Sequence, residues 1–148
     1  TEEALAAVLA AARELTTGRV LVTFGCGGDR DRGKREPMGS CAARIADVVV
    51  LTSDNPRTED PGTILGQIES GVRAAAGPDT IVRIEPERRA AIRALLAEAE
   101  AGDIVVIAGK GHETGQTTGT RTEPFDDREQ AIAGLAALGY DEVRRADA

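Results

Sequence analysis

Four short apolar runs rich in Val and Ile, at residues 19–24, 47–52, 80–84 and 103–108, alternate with stretches whose apolar residues recur at helical spacing. No other feature constrains the fold as tightly. Runs that are apolar almost throughout suit strands covered on both faces, and such strands belong to parallel sheets sandwiched by helices. Leu5, Val8, Leu9, Ala12 and Leu15 mark a first helix over residues 3–15 that ends before Gly18. Further helices are predicted from about residue 37 to 45, over 61–75, over 86–100 and over 127–138. Strand, helix and strand in succession make right-handed crossover units. The pattern predicts an α/β fold, a Rossmann-like open and mostly parallel sheet with helices on both faces, in a single domain over residues 1–148. Residues 114–123, rich in Thr and Gly, suit either a hairpin or a mobile loop, and the polar residues 141–148 either a tail or a short edge strand.

Composition removes several functional classes. With 25 acidic against 18 basic residues the chain carries a formal charge of -7, and it has two Phe, one Tyr and no Trp. That charge repels a phosphate backbone, and stacking platforms for bases are scarce, so nucleic acid is not an expected partner. Cys26 and Cys41 form no C-x-x-C pair, and one His leaves too few soft ligands for a structural zinc site. No signal-like opening and no stretch of about 18 apolar residues is present, so a soluble, cytoplasmic protein is expected, with no membrane partner. The abrupt opening in helical pattern suits an excised domain or a fragment of a longer polypeptide.

Ligands of such sheets bind beyond the carboxyl ends of the strands, so the segments after the first, second and fourth strands carry the information. After the first comes Gly-Cys-Gly-Gly-Asp-Arg-Asp-Arg-Gly-Lys-Arg at residues 25–35. As a dinucleotide fingerprint it fails at Arg30, where the third glycine belongs. As a phosphate loop, Gly28, Gly33 and Lys34 fit the pattern, but Arg35 replaces the Ser or Thr that holds magnesium. After the second strand, Asp54-Asn55-Pro56-Arg57 is stiffened by its proline, which presents Arg57 as a preorganised fork for a carboxylate. A capped turn leading into the next helix is the plainer alternative there. After the fourth strand come Gly109, Lys110, Gly111, His112 and Glu113. Arginine forks combined with a carboxylate acceptor suit a zwitterion, with carboxylates on Arg30 and Arg57 and an ammonium on Glu113 or a backbone carbonyl.

Together the three segments, in this order and followed by Pro-Phe-Asp-Asp-Arg-Glu at residues 124–129, resemble the C-terminal domain of the Mur ligases. Within that family the diaminopimelate-adding type is the most similar, and the resemblance spans about residues 5 to 138. It implies a domain that closes over a central ATPase domain in an enzyme of peptidoglycan synthesis. It also implies ATP and Mg2+ bound mainly by that absent domain, and meso-diaminopimelate joined to UDP-N-acetylmuramoyl-L-alanyl-D-glutamate. By resemblance, Asp54, Asn55, Pro56 and Arg57 form the amino-acid recognition motif, and Arg30, Gly109 and Glu113 complete the diaminopimelate pocket. Lys110 and His112 become candidate nucleotide contacts, no catalytic residue or metal ligand is expected in this domain, and the fragment alone is expected to be inactive. Glu36, Pro37 and Met38 depart from the more apolar run expected there. Other readings remain open at this point: a lysine-adding or folylpolyglutamate-type ligase, a nucleotide-binding Rossmann domain, or a non-catalytic binding module.

Overall fold

Side chains that accept the free N–H groups of a first turn stand at the start of four of the five α-helices among the described residues, all but the one that follows Lys34. In the computed structural model, which describes residues 1–140, Thr1 Oγ1 accepts from Ala4 N at 3.1 Å and Asp60 Oδ2 from Thr63 N at 2.9 Å. Glu87 and Asp126 play the same part further on. The elements in chain order are α1 (Glu2–Leu15), β1 (Val20–Phe24), α2 (Arg35–Ile45), β2 (Val48–Leu51), α3 (Pro61–Ala75), β3 (Ile81–Ile84), α4 (Arg88–Glu98), β4 (Ile104–Ile107), β5 (Gly115–Thr118), β6 (Arg121–Pro124) and α5 (Asp127–Ala137). Residues 141–148, for which a tail or edge strand was expected, lie outside the described residues.

Four strands form one parallel sheet in the order β3-β2-β1-β4, with Val22 level with Val49 on one side and Val106 on the other. Alternate residues of the central strands enter different cores, as the pleat requires. Val20, Val22, Phe24, Val49 and Leu51 pack with α1, α2 and α3, whereas Leu21, Val48 and Val50 pack with Ala91 and Leu95 of α4. Helices therefore cover both faces, as the sequence predicts, and α5 lies against α4. One local detail differs from expectation, and one open alternative is decided. A 3-10 turn over Arg32–Lys34 precedes α2, so that helix starts before Pro37, which falls in its first turn where no N–H is needed. Residues 114–123 form a hairpin, β5 paired antiparallel with β6 around a turn at Gly119 (φ +59°).

From β1 the chain winds outward through β2 to β3 and then crosses back to place β4 on the other flank of β1. The strand order reverses there, and the crevice between the ends of β1 and β4 is the natural ligand position of such a sheet. A buried ion pair braces that end of the sheet. Arg88, 1% exposed, grips Asp127 through Nε at 2.8 Å and Nη2 at 2.7 Å and also donates to the carbonyls of Ser53 (3.2 Å) and Ala108 (2.9 Å). It thus ties α5 to the chain leaving β2 and to the chain leaving β4. No helix among the described residues is long and apolar enough to cross a membrane. Removing one member of a buried pair leaves the other charge uncompensated, at a cost of about 3–5 kcal/mol. Asp127→Ala should lower the urea midpoint by a corresponding amount with little change in slope.

Candidate functional site

The loops after β1 and β2 meet backbone to backbone. Gly28 N donates to Asn55 O at 2.8 Å, and a Cβ at Gly28 would stand 1.7 Å from the Pro56 carbonyl oxygen, so only glycine permits the approach. Arg57 Nη1 returns the contact, donating to Gly28 O at 2.7 Å. Asp29 adds a third tie, since its carboxylate accepts from Thr58 N (3.2 Å) and Thr58 Oγ1 (2.7 Å). Beneath these contacts lies Arg35, fully buried, with four hydrogen bonds. Nη1 donates to Glu59 Oε2 (2.9 Å) and Gln67 Oε1 (2.8 Å), and Nη2 to Glu59 Oε1 (3.0 Å) and Gly27 O (3.0 Å). Arg35 and the N–H of Asp29 together hold the Glu59 carboxyl down at about 2.

The loop after β4 joins through Asn55, which is 5% exposed. Its Oδ1 accepts from Lys110 Nζ (3.0 Å) and Thr117 N (2.9 Å), and its Nδ2 donates to Glu113 Oε2 (2.9 Å). Lys110 points inward. Its ammonium also reaches Gly115 O (2.8 Å) and lies 3.4 Å from Asp54 Oδ1, a charge contact without hydrogen-bond alignment.

A cleft of about 350 Å3 opens at the ends of β1 and β4, lined in part by Gly25, Cys26, Arg30, Lys34, Asp54 and Gly109. Arg30 is exposed, and among the described residues nothing engages its guanidinium. Arg57, half-buried, flanks the same wall: a Cβ at Gly27 would meet Arg57 Nη1 at 2.8 Å and Arg30 Cγ at 3.4 Å. The two arginines therefore converge on Gly27, while Glu113 and His112 are exposed beside the cleft rather than in its lining. Arg57 itself takes φ +52°, a conformation sparsely used by side chains of its size. Cys26 in the wall is no nucleophile at neutral pH, because burial pushes its thiol up to about 11. The cleft lining thus holds the cations Arg30 and Lys34 together with the acceptors Asp31 and Asp54, and Arg57 lies against Gly27 outside that lining. Among the acceptors, the buried Asp54 Oδ1 has no hydrogen-bond partner among the described residues.

The family model described as "Mur ligase, glutamate ligase domain" matches residues 1–111. The chain belongs to the Mur ligase family. The UDP-N-acetylmuramoyl-L-alanyl-D-glutamate–2,6-diaminopimelate ligase of Solibacter usitatus is 51% identical over 144 residues, which are 97% of this chain and 28% of that protein. The enzyme of the same name from Synechococcus elongatus is 52% identical over 136 residues, 92% of this chain and 27% of its own length. A solved structure of a ligase of that name superposes with a TM-score of 0.87 at 41% identity, covering 95% of this chain and 28% of that one. The chain thus spans somewhat over a quarter of the length of the relatives it matches.

Sequence reasoning missed the braces of this Mur ligase domain: Arg35 was seen only as a mismatch to a phosphate loop, and Glu59, Gln67, Arg88 and Asp127 received no role. One signal was available, since the basic loop after β1 faces the acidic run after β2 and opposite charges at strand ends can pair.

Two measurements check the electrostatics. Glu59 is bound as carboxylate, so its contribution to stability is complete above its ordinary value of 4.5 and is lost as pH falls through about 2. Glu59→Gln should abolish that part of the pH dependence in acid unfolding monitored by circular dichroism between those limits. In Cys41→Ala protein, alkylation of Cys26 should be slow at pH 7 and rise towards an inflection near 11.

Proposed function

We propose that this Mur ligase domain holds the incoming amino acid, meso-diaminopimelate, for a ligase that joins it to UDP-N-acetylmuramoyl-L-alanyl-D-glutamate during peptidoglycan synthesis in the cytoplasm. The observation that carries the reading is the fixed guanidinium of Arg57. One of its nitrogens is spent on Gly28 O, and Arg30 stands across Gly27 from it, which leaves donors of both side chains for a carboxylate. Glu113, oriented by Asn55, supplies an acceptor for an ammonium, and Asp54 and Gly109 lie in the cleft lining nearby. Diaminopimelate carries two carboxylates and two ammonium groups, whereas lysine lacks the second carboxylate and would leave an arginine facing no anion. The names of the relatives at about 50% identity favour the same substrate.

The residues of this domain do not fit a magnesium nucleotide. Arg35 replaces the hydroxyl residue of a phosphate loop and is buried on Glu59, and among the described residues no three His, Cys, Asp or Glu side chains converge on a common point. Activation of the acceptor carboxylate with ATP and Mg2+ therefore falls to parts of the ligase outside this chain, and the 148 residues alone should bind without turnover. The work assigned here is positioning: an amine held beside an activated carboxylate gains rate from proximity without a dedicated base.

Losing a charged hydrogen bond costs about 1.5–3 kcal/mol. Arg57→Ala in the full-length ligase should therefore raise the Kd for meso-diaminopimelate by about tenfold to a hundredfold in calorimetric titration, and L-lysine should bind weakly to the wild type. Equal binding of L-lysine, or an unchanged Kd in Arg57→Ala, would refute the assignment.

A further inference from the structure

Strand β5 is not part of the main sheet; it lies along residues 54–57. Gln116 Nε2 donates to Asp54 O (2.8 Å), Thr117 N to Asn55 Oδ1 (2.9 Å), Arg57 N to Thr117 O (3.1 Å) and Gly119 N to Arg57 O (2.6 Å). Arg57 and Thr118 complete a parallel bridge. The left-handed turn at Arg57 is thus clamped on both its N–H and its C=O by the hairpin. Lys110, 2% exposed, binds the same assembly from below, donating to Gly115 O at the start of β5 and to Asn55 Oδ1. With two donors on Oδ1, the Asn55 amide can turn only its NH2 toward Glu113.

We propose that Lys110 and the β5–β6 hairpin form a positioning device that sets the separation of Arg57 and Glu113, and hence the length and charge pattern of the amino acid accepted. The proposal rests on the ligand reading above. It gives Lys110 an internal role in place of a contact to nucleotide phosphates: its ammonium is enclosed, with every hydrogen bond directed to Asn55 and Gly115. Lys110 touches no ligand in this scheme. It acts through Asn55 on Glu113 and through β5 on Arg57.

The test compares full-length ligase variants. Lys110→Met should raise KM for meso-diaminopimelate by about tenfold or more while KM for ATP stays within about twofold. Hydrogen exchange of the Arg57 amide should speed up in the same variant, because its acceptor is on β5. Thr117→Pro removes an N–H that faces away from β6 and the Thr117 Oγ1–Thr122 Oγ1 bond, leaves Lys110 in place, and should move the same two readouts in the same direction. It carries the test if Lys110→Met does not fold. A rise in KM for ATP with KM for diaminopimelate unchanged would overturn the proposal in favour of a nucleotide contact. A fall in kcat with both KM values and Arg57 exchange unchanged would overturn it as well. Arg57→Ala is the control: if it raises KM for diaminopimelate and the other two variants do not, the positioning proposal alone fails. If Arg57→Ala is also without effect, the ligand reading fails and takes the proposal with it.

Discussion

The Arg35 guanidinium lies in the interior with two oxygens of Glu59, the Gln67 side chain and the Gly27 carbonyl around it. A charge so placed is tolerable only while those partners stay, because desolvation is offset by pairing and not by water. The requirement propagates. Gly27 belongs to the loop after β1, Glu59 to the segment after β2 and Gln67 to α3, so none can move without stranding the guanidinium. Arg88 imposes the same condition on the other side of the sheet, where Ser53 O, Ala108 O and Asp127 share one buried cation. Loops at strand ends are ordinarily the mobile part of such a fold. Here two enclosed arginines, neither directed into the cleft, tie them to the helices beneath.

Rigidity of this kind suits a site whose task is geometric. The cleft contains no thiolate and no converging metal ligands among the described residues, and its polar groups come from loops cross-tied to one another. The hairpin adds a second layer, bearing on residues 54–57 from outside, while Arg35 holds Glu59, just beyond them, from within. Recognition and support are thus separate sets of residues. Arg30 and Glu113 are exposed and Arg57 half-buried, whereas Arg35, Glu59, Asn55 and Lys110 support the segments that carry them.

The central strands β1 and β2 were legible because burial on both faces forces near-continuous apolar residues, and the flanking strands β3 and β4 keep the same Val and Ile pattern although they are less covered. The hairpin was not decidable from residues 114–123, since its polar Thr and Gly side chains gain their order from residues 54–57, some sixty positions earlier in the chain. The three candidate loops were legible from their glycines and charges, and their order also carried the family resemblance that the comparisons support. Their braces were hidden for a different reason: an arginine in a charged loop reads as solvated, and Glu59 lies 24 residues from Arg35. Lys110, flanked by two glycines, reads by resemblance as a candidate nucleotide contact. Those glycines, at φ +105° and +57°, are what turn the backbone and send its side chain inward.

The left-handed backbone at Arg57 gives substitutions there an uneven thermodynamic meaning. Such a conformation costs a residue with a Cβ about 1–2 kcal/mol relative to glycine. Alanine at this position removes the guanidinium and retains the backbone cost; glycine removes both. A glycine variant can therefore be as stable as the parent while lacking the guanidinium that recognition needs, and stability alone would misreport the damage. The difference between the two variants isolates what the fold spends to aim one side chain, and the hairpin clamp is what allows that strain to persist.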